Sequence, residues 1–346
     1  MCGKAVIISG PTSSGKTAFA HAIFQPGDCI INADSRQIYK GFNIGSAKPC
    51  AADIKKYNYK LIDFLPPDVR YSAYRFMCDA NSIIEDGRNT DNGFFYITGG
   101  TVFYLNALLH GLAPELSIHE DIKAITARIY AEEGILGWQR IIRERDPYYF
   151  SHADICNPRR LERAMHILLA SGLTITEFRQ QQKPAIPRAF FIIMLFVNRN
   201  VLKKNIATRT ESMIRDGLFD EVSALSTQGI RHDCPAMQSI GYKEALEFLH
   251  KKADMRTSIE HIKIRTRQYA KQQMTWIKKM TGVLFFFDEK ERDISADDSW
   301  FFLIPEIFEF DRKTCHDIVY GGAKMRMSLT NAKKNIRSVL RVFYEN

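Results

Sequence analysis

Residues 10–17, GPTSSGKT, have the spacing of a loop that binds phosphate groups. Gly10 and Gly15 bracket a turn whose backbone N–H groups can converge on an anion, while Lys16 adds a positive charge and Thr17 offers a hydroxyl ligand to Mg²⁺. The apolar run KAVIIS precedes the loop and the helical pattern TAFAHAIF follows it, which favours a phosphate loop over a flexible Gly/Ser linker. The pattern predicts a phosphate site but does not say whose phosphates are bound.

A carboxylate follows the next apolar run along the chain. Asp34 stands at the end of DCIINADS, and we expect it near the phosphate loop if the two strands are neighbours. A nucleoside triphosphatase or kinase should carry a magnesium-binding acid at the end of a later strand, yet GFFYITGGT ends without a carboxylate. Asp34 is therefore a candidate general base, with an N-cap or a plain magnesium ligand as alternatives.

The charge balance favours an anionic partner. The 346 residues include 48 Lys and Arg against 39 Asp and Glu, a formal net charge of +9, so phosphorylated substrates and nucleic acid both fit. The seven cysteines lack the spacing of a zinc site or a disulfide framework, which indicates isolated, mostly buried thiols. Because no apolar run reaches the roughly 18 residues of a membrane helix, we expect a cytoplasmic protein without a membrane partner.

Alternating strand and helix patterns predict an α/β fold, namely a P-loop NTPase-like parallel sheet flanked by helices. From residue 114 to 187 the strand patterns vanish and arginines become dense, which predicts an all-helical insertion. The run AFFIIMLFVNRN then restores a buried strand. We therefore expect a core in two parts, 1–113 and 188–285, and a C-terminal tail, 286–346, of unknown role.

Six segments in order resemble the tRNA dimethylallyltransferases, also called isopentenyl-tRNA transferases. They are GPTSSGKT, DSRQIYKGFNIGSAKP, ITGGTVFYLNALLHGL, NPRRLERAMHILLASG, QSIGYKEAL and TRQYAKQQMTW. The likeness runs from about residue 5 to residue 280, and the second segment is far more specific than the phosphate loop. The resemblance implies transfer of a dimethylallyl group from dimethylallyl diphosphate to N6 of the adenosine 3′ of the anticodon in tRNA, with release of diphosphate.

The resemblance also implies a division of roles in which the loop holds the prenyl diphosphate and Asp34 is the general base. Charge on the departing diphosphate is stabilised by Mg²⁺ at Thr17 and by Arg209, which matches the family's I-x-x-R-x-x-x-M position unless it belongs to a solvated helix face. Thr12 and Thr101 match hydroxyl-bearing positions of the reaction channel, or they only cap loops. The implied catalytic residues are Asp34, Thr101 and Arg209, and the implied diphosphate-binding residues are Gly10, Pro11, Thr12, Ser13, Ser14, Gly15, Lys16 and Thr17.

On the tRNA side, the resemblance implies that the target adenine is flipped out of the anticodon loop. Arg159 and Arg163 share one face of a predicted helix that could follow the RNA backbone, unless it is an ion-paired surface helix. Tyr269 and Trp276 lie among basic residues in a composition suited to RNA, or they are core. The implied tRNA-binding residues are Asp34, Ser35, Arg36, Gln37, Thr101, Lys123, Arg159, Arg160, Arg163, Gln238, Gly241, Tyr242 and Lys243. We expect the protein to bind the anticodon stem-loop as a monomer.

Several positions depart from the family pattern. Lys123, Asn205 and Gln272 stand where arginine is usual, and Cys156-Asn157 replaces Asn-Asp. Because arginine binds phosphate through two parallel hydrogen bonds and lysine does not, these changes could alter tRNA affinity or selectivity. None of them touches the implied chemistry.

Two other functions remain open from the sequence. A small-molecule P-loop kinase would use Asp34 to activate a hydroxyl or bind magnesium, although no lid with paired arginines is evident. A non-catalytic tRNA-binding module would carry a vestigial loop, against which the intact triplet at 15–17 weighs.

Overall fold

The computed structural model describes residues 5–87, 93–181, 190–277 and 284–287, so the tail from residue 288 onward lies outside the described residues. Within them, six strands form one parallel sheet in the order β3-β2-β4-β1-β5-β6. The strands are β1 (Ala5–Ser9), β2 (Cys29–Asn32), β3 (Tyr59–Lys60), β4 (Phe95–Gly99), β5 (Phe190–Phe196) and β6 (Leu284–Phe287). The parallel sheet confirms the predicted α/β class.

The strand before the phosphate loop lies at the centre of the sheet. All five residues of β1 are buried, as expected for a strand that is covered on both faces. It pairs with β4 on one side and with β5 on the other, so that Ser9 is level with Gly99 and Met194. β2, which leads into Asp34, pairs with β4 and not with β1. The strands that carry the loop and the aspartate are therefore not neighbours, because β4 lies between them.

β6 is a strand that the sequence did not predict. It pairs with β5 at the edge of the sheet, and it overlaps the boundary that we placed between the core and the tail. A four-residue apolar run fits a strand or part of a helix equally well, so its periodicity could not identify it.

The described residues form thirteen helices. They are α1 (Lys16–Ile23), α2 (Ala51–Lys56), α3 (Ala73–Asp86), α4 (Val102–His110), α5 (Glu120–Glu133), α6 (Ile135–Arg145), α7 (Pro147–His152), α8 (Pro158–Ser171), α9 (Ile175–Gln180), α10 (Arg199–Arg215), α11 (Leu218–Thr227), α12 (Tyr242–Leu249) and α13 (Met255–Ile277). The described residues form two compact units, of which the first comprises 5–72, 78–87, 93–105, 190–277 and 284–287 and the second comprises 73–77 and 106–181.

The first unit contains the sheet and two apolar clusters. In one cluster, Phe19 and Ile23 of α1 pack on Val6 and Ile8 of β1. In the other, the segment that follows Asp34 packs against α11, α12 and α13, and Phe42 contacts the Tyr242 ring with centroids 4.8 Å apart. The phosphate loop and the segment after Asp34 are thus each fixed by their own core.

The second unit is helical in its described residues, which include residues 114–181 of the predicted insertion. Its core is built from α6 to α9 and includes Trp138, whose indole N–H donates to the carbonyl of Thr126 at 3.1 Å. Local signals define its helix ends: Asn157 accepts a hydrogen bond at the start of α8, and Gly172 ends that helix at φ 72°. This unit therefore folds around its own apolar core.

Two predictions made from composition have different outcomes. No helix in the described part of the chain has both the length and the apolar character to cross a membrane. The prediction of mostly buried thiols is wrong for the five cysteines that the structure describes, since Cys29 and Cys234 are buried but Cys50, Cys78 and Cys156 are exposed.

Candidate functional site

The loop between β1 and α1 has the conformation of an anion cradle. Gly15 adopts φ 87° immediately before α1, a left-handed conformation that favours glycine, and Ser13 adopts φ 63°. The hydroxyls of Ser13 and Ser14 are buried without a hydrogen-bond partner. Buried hydroxyls are normally paired, so these two fit contacts to the oxygens of a bound phosphate.

Lys16 lies inside this loop, where its ammonium group donates to the carbonyls of Gly10 at 2.9 Å and Pro11 at 2.7 Å. Burial lowers the pKa of Lys16 to about 8, with Asp34 acting to raise it and Arg209 acting to lower it further. The charges of Asp34 and Arg209 therefore both act on the Lys16 ammonium group.

Arg209 extends from α10 to the loop. Its Nη1 donates to the Thr12 hydroxyl at 3.1 Å, and burial lowers its pKa while the charge of Asp34 opposes that effect. The side chain is thus not part of a solvated helix face, which was the alternative from the sequence. One turn earlier, the side-chain amide of Asn205 donates to the carbonyl of Ser13 at 3.3 Å. Helix α10 thus contacts the loop at two points, and the expectation that the departures from the family pattern stay away from the chemistry is wrong for Asn205.

Asp34 lies just beyond the end of β2 and is half-buried. Its Oδ1 accepts the backbone N–H of Arg36 at 2.8 Å, which fixes the orientation of the carboxylate. Burial raises the pKa of Tyr269 to about 12 and also raises the pKa of Tyr104, and the charge of the Asp34 carboxylate adds to both effects. The charge of Asp34 therefore acts on tyrosines of α4 and α13 as well as on Lys16 and Arg209.

The end of β4 links the two sides of the site. The Thr101 hydroxyl accepts the backbone N–H of Ser35 at 2.9 Å and donates to the Ser35 hydroxyl at 3.2 Å. Gly99, two residues before Thr101, has no room for a side chain, because a Cβ there would lie 2.1 Å from the carbonyl oxygen of Ala33. The Thr-Gly-Gly-Thr sequence thus lets β4 approach the segment that carries Asp34.

The rest of the DSRQIYKGFNIGSAKP segment is held in a fixed shape. The NH₂ group of Gln37 donates to the carbonyls of Ser46 and Ala47 at 3.3 and 3.1 Å. The buried ammonium group of Lys48 donates to the carbonyl of Tyr39 at 2.6 Å and to Asp63 at 2.5 Å. These bonds support the backbone on which Ser35 and Arg36 stand.

Glu221 on α11 is a second support that the sequence analysis missed. Its carboxylate accepts the backbone N–H groups of Asn43, Ile44 and Gly45 at 3.0–3.4 Å and the hydroxyl of Tyr242 at 2.6 Å. The sequence gives no signal of these contacts, because Glu221 is a single glutamate on a helix and lies about 177 residues from the segment that it bonds.

Of the four predicted tRNA contacts around residue 240, two are exposed and two are buried. Gln238 and Lys243 are exposed, and Gln238 donates to the carbonyl of His232 at 2.8 Å. Tyr242 is 0% exposed and bonded to Glu221, so its side chain has no surface to offer RNA in this structure. Gly241, also buried, adopts φ 97° and begins α12. Tyr242 and Gly241 therefore position the exposed pair.

In the second unit, Arg159, Arg160 and Arg163 are exposed on α8, and none of them forms an ion pair with a residue that the structure describes. Lys123 on α5 pairs with Glu120 at 2.6 Å on an exposed surface. Burial lowers the pKa of His166 on α8; the charge of Glu162 opposes that effect, and the charges of Arg163 and Lys123 add to it. Because α5 packs on α8, Lys123 lies near Arg163, and we call Lys123 and the three exposed arginines of α8 the positive surface of the second unit.

Helix α13 provides two aromatic side chains with different environments. Trp276 is 49% exposed, so it is not core. Tyr269 is half-buried, and its hydroxyl lies 3.5 Å from the carbonyl oxygen of Gly100. Tyr269 therefore belongs to the neighbourhood of Thr101.

The donor set near the loop fits a magnesium ion carried by a phosphate ligand. Thr17 is exposed in the first turn of α1, and no cluster of three or more His, Cys, Asp or Glu occurs among the described residues. Mg²⁺ commonly binds through substrate phosphates, waters and only one or two protein groups. A single hydroxyl beside a diphosphate cradle is compatible with that mode.

Comparison with known proteins identifies relatives over most of the chain. The IPP transferase family model matches residues 37–280. The chain is similar to tRNA dimethylallyltransferase 2 of Geotalea daltonii, with 36% identity over 283 residues that cover 81% of this chain and 86% of that protein.

Solved structures show the same likeness. The tRNA isopentenylpyrophosphate transferases of Bacillus halodurans and Staphylococcus epidermidis each align with a TM-score of 0.58 at 29% identity, over 82% and 83% of this chain and 89% and 94% of theirs. A eukaryotic dimethylallyltransferase, solved in snapshots of its action on tRNA, aligns with a TM-score of 0.69 at 23% identity over 82% of this chain and 73% of that one. This last match supports the fold.

Proposed function

Because this chain belongs to the IPP transferase family and transfers a dimethylallyl group to tRNA, we propose that it takes the group from dimethylallyl diphosphate and attaches it to N6 of the adenosine 3′ of the anticodon. The observation that carries the proposal is the convergence of Lys16, Arg209 and the unpaired hydroxyls of Ser13 and Ser14 on one loop, with Asp34 near enough for its charge to act on both cations. This arrangement provides cations for a leaving diphosphate and a carboxylate for the nucleophile. Family membership decides against the P-loop kinase and the non-catalytic module.

Asp34 acts as the general base in this proposal. An exocyclic adenine amine is a weak nucleophile because its lone pair is delocalised into the ring, so removal of its proton assists attack. The N6–C1 bond forms as the C1–O bond of the donor breaks; the electron pair of C1–O leaves with the diphosphate, and the N6 proton passes to the Asp34 carboxylate. The Thr101 hydroxyl, held by Ser35, lines the path of the amine.

The loop stabilises the leaving group. Lys16, the backbone N–H groups and the hydroxyls of Ser13 and Ser14 surround the diphosphate, and Arg209 reaches it beside Thr12. Mg²⁺ held by Thr17 and the diphosphate oxygens would supply further positive charge to the leaving group. Gly10, Pro11 and Gly15 shape the loop so that its N–H groups converge.

The tRNA side uses both units. Ser35, Arg36 and Gln37 hold the flipped adenosine and its neighbours. Gln238 and Lys243 are further exposed contacts of the first unit, and Arg36 donates to the carbonyl of Pro235, three residues before Gln238, at 3.2 Å. The positive surface of the second unit binds the RNA backbone of the anticodon stem-loop through Lys123, Arg159, Arg160 and Arg163. We also propose that the enzyme acts as a monomer in the cytoplasm.

The test is to incubate the protein with labelled dimethylallyl diphosphate, Mg²⁺ and an undermodified tRNA, with and without ATP as a competing ligand. Label should enter RNA and be recovered as an N6-dimethylallyl adenosine from the anticodon loop. Replacing the target adenosine by guanosine in the same tRNA is the matched control and should abolish labelling. Labelling at another nucleotide, or ATP turnover without labelled RNA, would contradict the proposal.

A further inference from the structure

We propose that Gln273 is a positioning residue that sets the separation between the diphosphate loop and the loop that carries Thr101, an inference that rests on the proposed function. Gln273 lies on α13 and is 3% exposed. Its Oε1 accepts the backbone N–H of Thr12 at 2.8 Å, and its Nε2 donates to the carbonyl of Gly100 at 2.7 Å. One side chain therefore joins the ends of β1 and β4.

The chemistry of the two contacts permits only one orientation of the amide. A backbone N–H can only donate and a backbone carbonyl can only accept, so Oε1 must face Thr12 and Nε2 must face Gly100. Glycine at position 100 allows this approach, since a Cβ there would lie 2.3 Å from Nε2. The Tyr269 hydroxyl, 3.5 Å from the same carbonyl, lies on the same helix. The bridge is thus specific for an amide of this length.

The bridge joins the two halves of the proposed reaction. On one side, Thr12 lies in the diphosphate loop and receives the hydrogen bond of Arg209. On the other side, Gly100 directly precedes Thr101, which is bonded to the segment of Asp34. Transfer requires the reacting carbon and nitrogen in line at near-contact distance, and a misplacement of about 1 Å can cost about 100-fold in rate. We therefore assign to Gln273 a role in the rate of transfer, beyond its contribution to packing.

Two variants separate positioning from packing. Gln273→Met keeps the length of the side chain and removes both hydrogen bonds. Gln273→Glu keeps the acceptor for Thr12 but places a carboxylate oxygen against the Gly100 carbonyl; protonation of that carboxyl restores the donor. Gln268→Glu, at an exposed position of the same helix, is the matched control. The measurements are the single-turnover rate at saturating tRNA and donor from about pH 6 to pH 9, the Kd for tRNA and the thermal midpoint.

We expect Gln273→Met to be slower than wild type by roughly 10- to 100-fold at every pH, with an unchanged Kd for tRNA. Gln273→Glu should be equally slow at high pH, and its rate relative to wild type should recover as pH falls, while Gln268→Glu follows wild type throughout. A Gln273→Met protein that turns over at the wild-type rate, or a Gln273→Glu ratio that is flat with pH, would overturn the proposal. If the methionine variant does not fold, the pH series of the glutamate variant decides. Failure of the wild type to use dimethylallyl diphosphate would instead contradict the proposed function.

Discussion

The two units of the chain hold their functional charges in opposite ways. In the first unit, Lys16 and Arg209 are withdrawn from water, and burial lowers the pKa of both. In the second unit, Arg159 and Arg163 stand exposed on α8. Partly desolvated charges interact strongly and are screened little by salt, whereas exposed charges interact weakly and are screened. In the proposed function, bond making belongs to the first unit, and the positive surface of the second unit provides salt-sensitive RNA affinity.

The second unit can carry exposed arginines because its fold does not depend on them. Leu161 and Met165 of α8 are fully buried, and the arginines lie on the exposed part of the helix surface. In the first unit the charged groups are themselves the contacts between loops and helices. Variants should therefore change rate in one unit and binding in the other.

The largest effect should come from Asp34→Asn, which keeps the shape of the side chain and removes the proton acceptor. We expect the single-turnover rate to fall by roughly 10²- to 10⁴-fold, with the Kd for tRNA changed less than about twofold. Asp216→Asn, at an exposed position after α10, should behave as wild type. Equal losses of rate and affinity in Asp34→Asn would make Asp34 a recognition group instead and remove the contrast between the units.

Next in size should be Arg209→Lys. Lysine keeps the charge but lacks the planar group that bonds Thr12 while reaching the leaving group, so we expect a rate loss of roughly 10²-fold. The control is Arg215→Lys on the same helix, where Arg215 is exposed and bonds Ser212 at 3.0 Å. A wild-type rate in Arg209→Lys at saturating donor would show that α10 only supports the loop.

The sequence predicted the parts of the fold and of the site that carry a local pattern. The loop, the two strands after it and the arginine-rich helix each carry a local pattern, and the structure has all of them. Glu221 carries none, and Gln273 lies in the family-like segment TRQYAKQQMTW but nothing there indicated its contacts, because each residue bonds backbone groups more than 170 residues away in the sequence. The burial of Tyr242 could not be predicted either, since an aromatic residue at a helix start fits both surface and core. Long-range polar contacts to backbone were therefore the part that the sequence could not reveal.

A smaller effect should appear in the pH dependence of donor binding. Because burial lowers the pKa of Lys16 to about 8, the free enzyme loses this charge above that pH, and KM for dimethylallyl diphosphate should rise up to about tenfold per pH unit. A lowered lysine pKa in the folded state increases the free energy of unfolding as pH rises through this range, so deprotonation of Lys16 itself does not cause unfolding. In Lys16→Arg, which stays protonated, KM should be higher at pH 7 but flat. A wild-type KM that is flat to pH 9 would contradict the buried setting of the lysine.

The smallest effect, and the one that tests the other half of the comparison, should come from Arg163→Ala. Loss of one exposed phosphate contact should weaken tRNA binding roughly threefold and reduce the slope of log Kd against log salt by about 0.7 to 0.9. The single-turnover rate at saturating tRNA should not change, because the arginine touches no reacting group. Arg128→Ala, an exposed residue on α5, removes the same net charge from the same unit and should leave the slope unaltered. Equal slopes for both variants would mean that the net charge of the unit attracts tRNA without a defined contact at α8. The separation of chemistry from RNA affinity would then depend on overall charge and not on a defined surface.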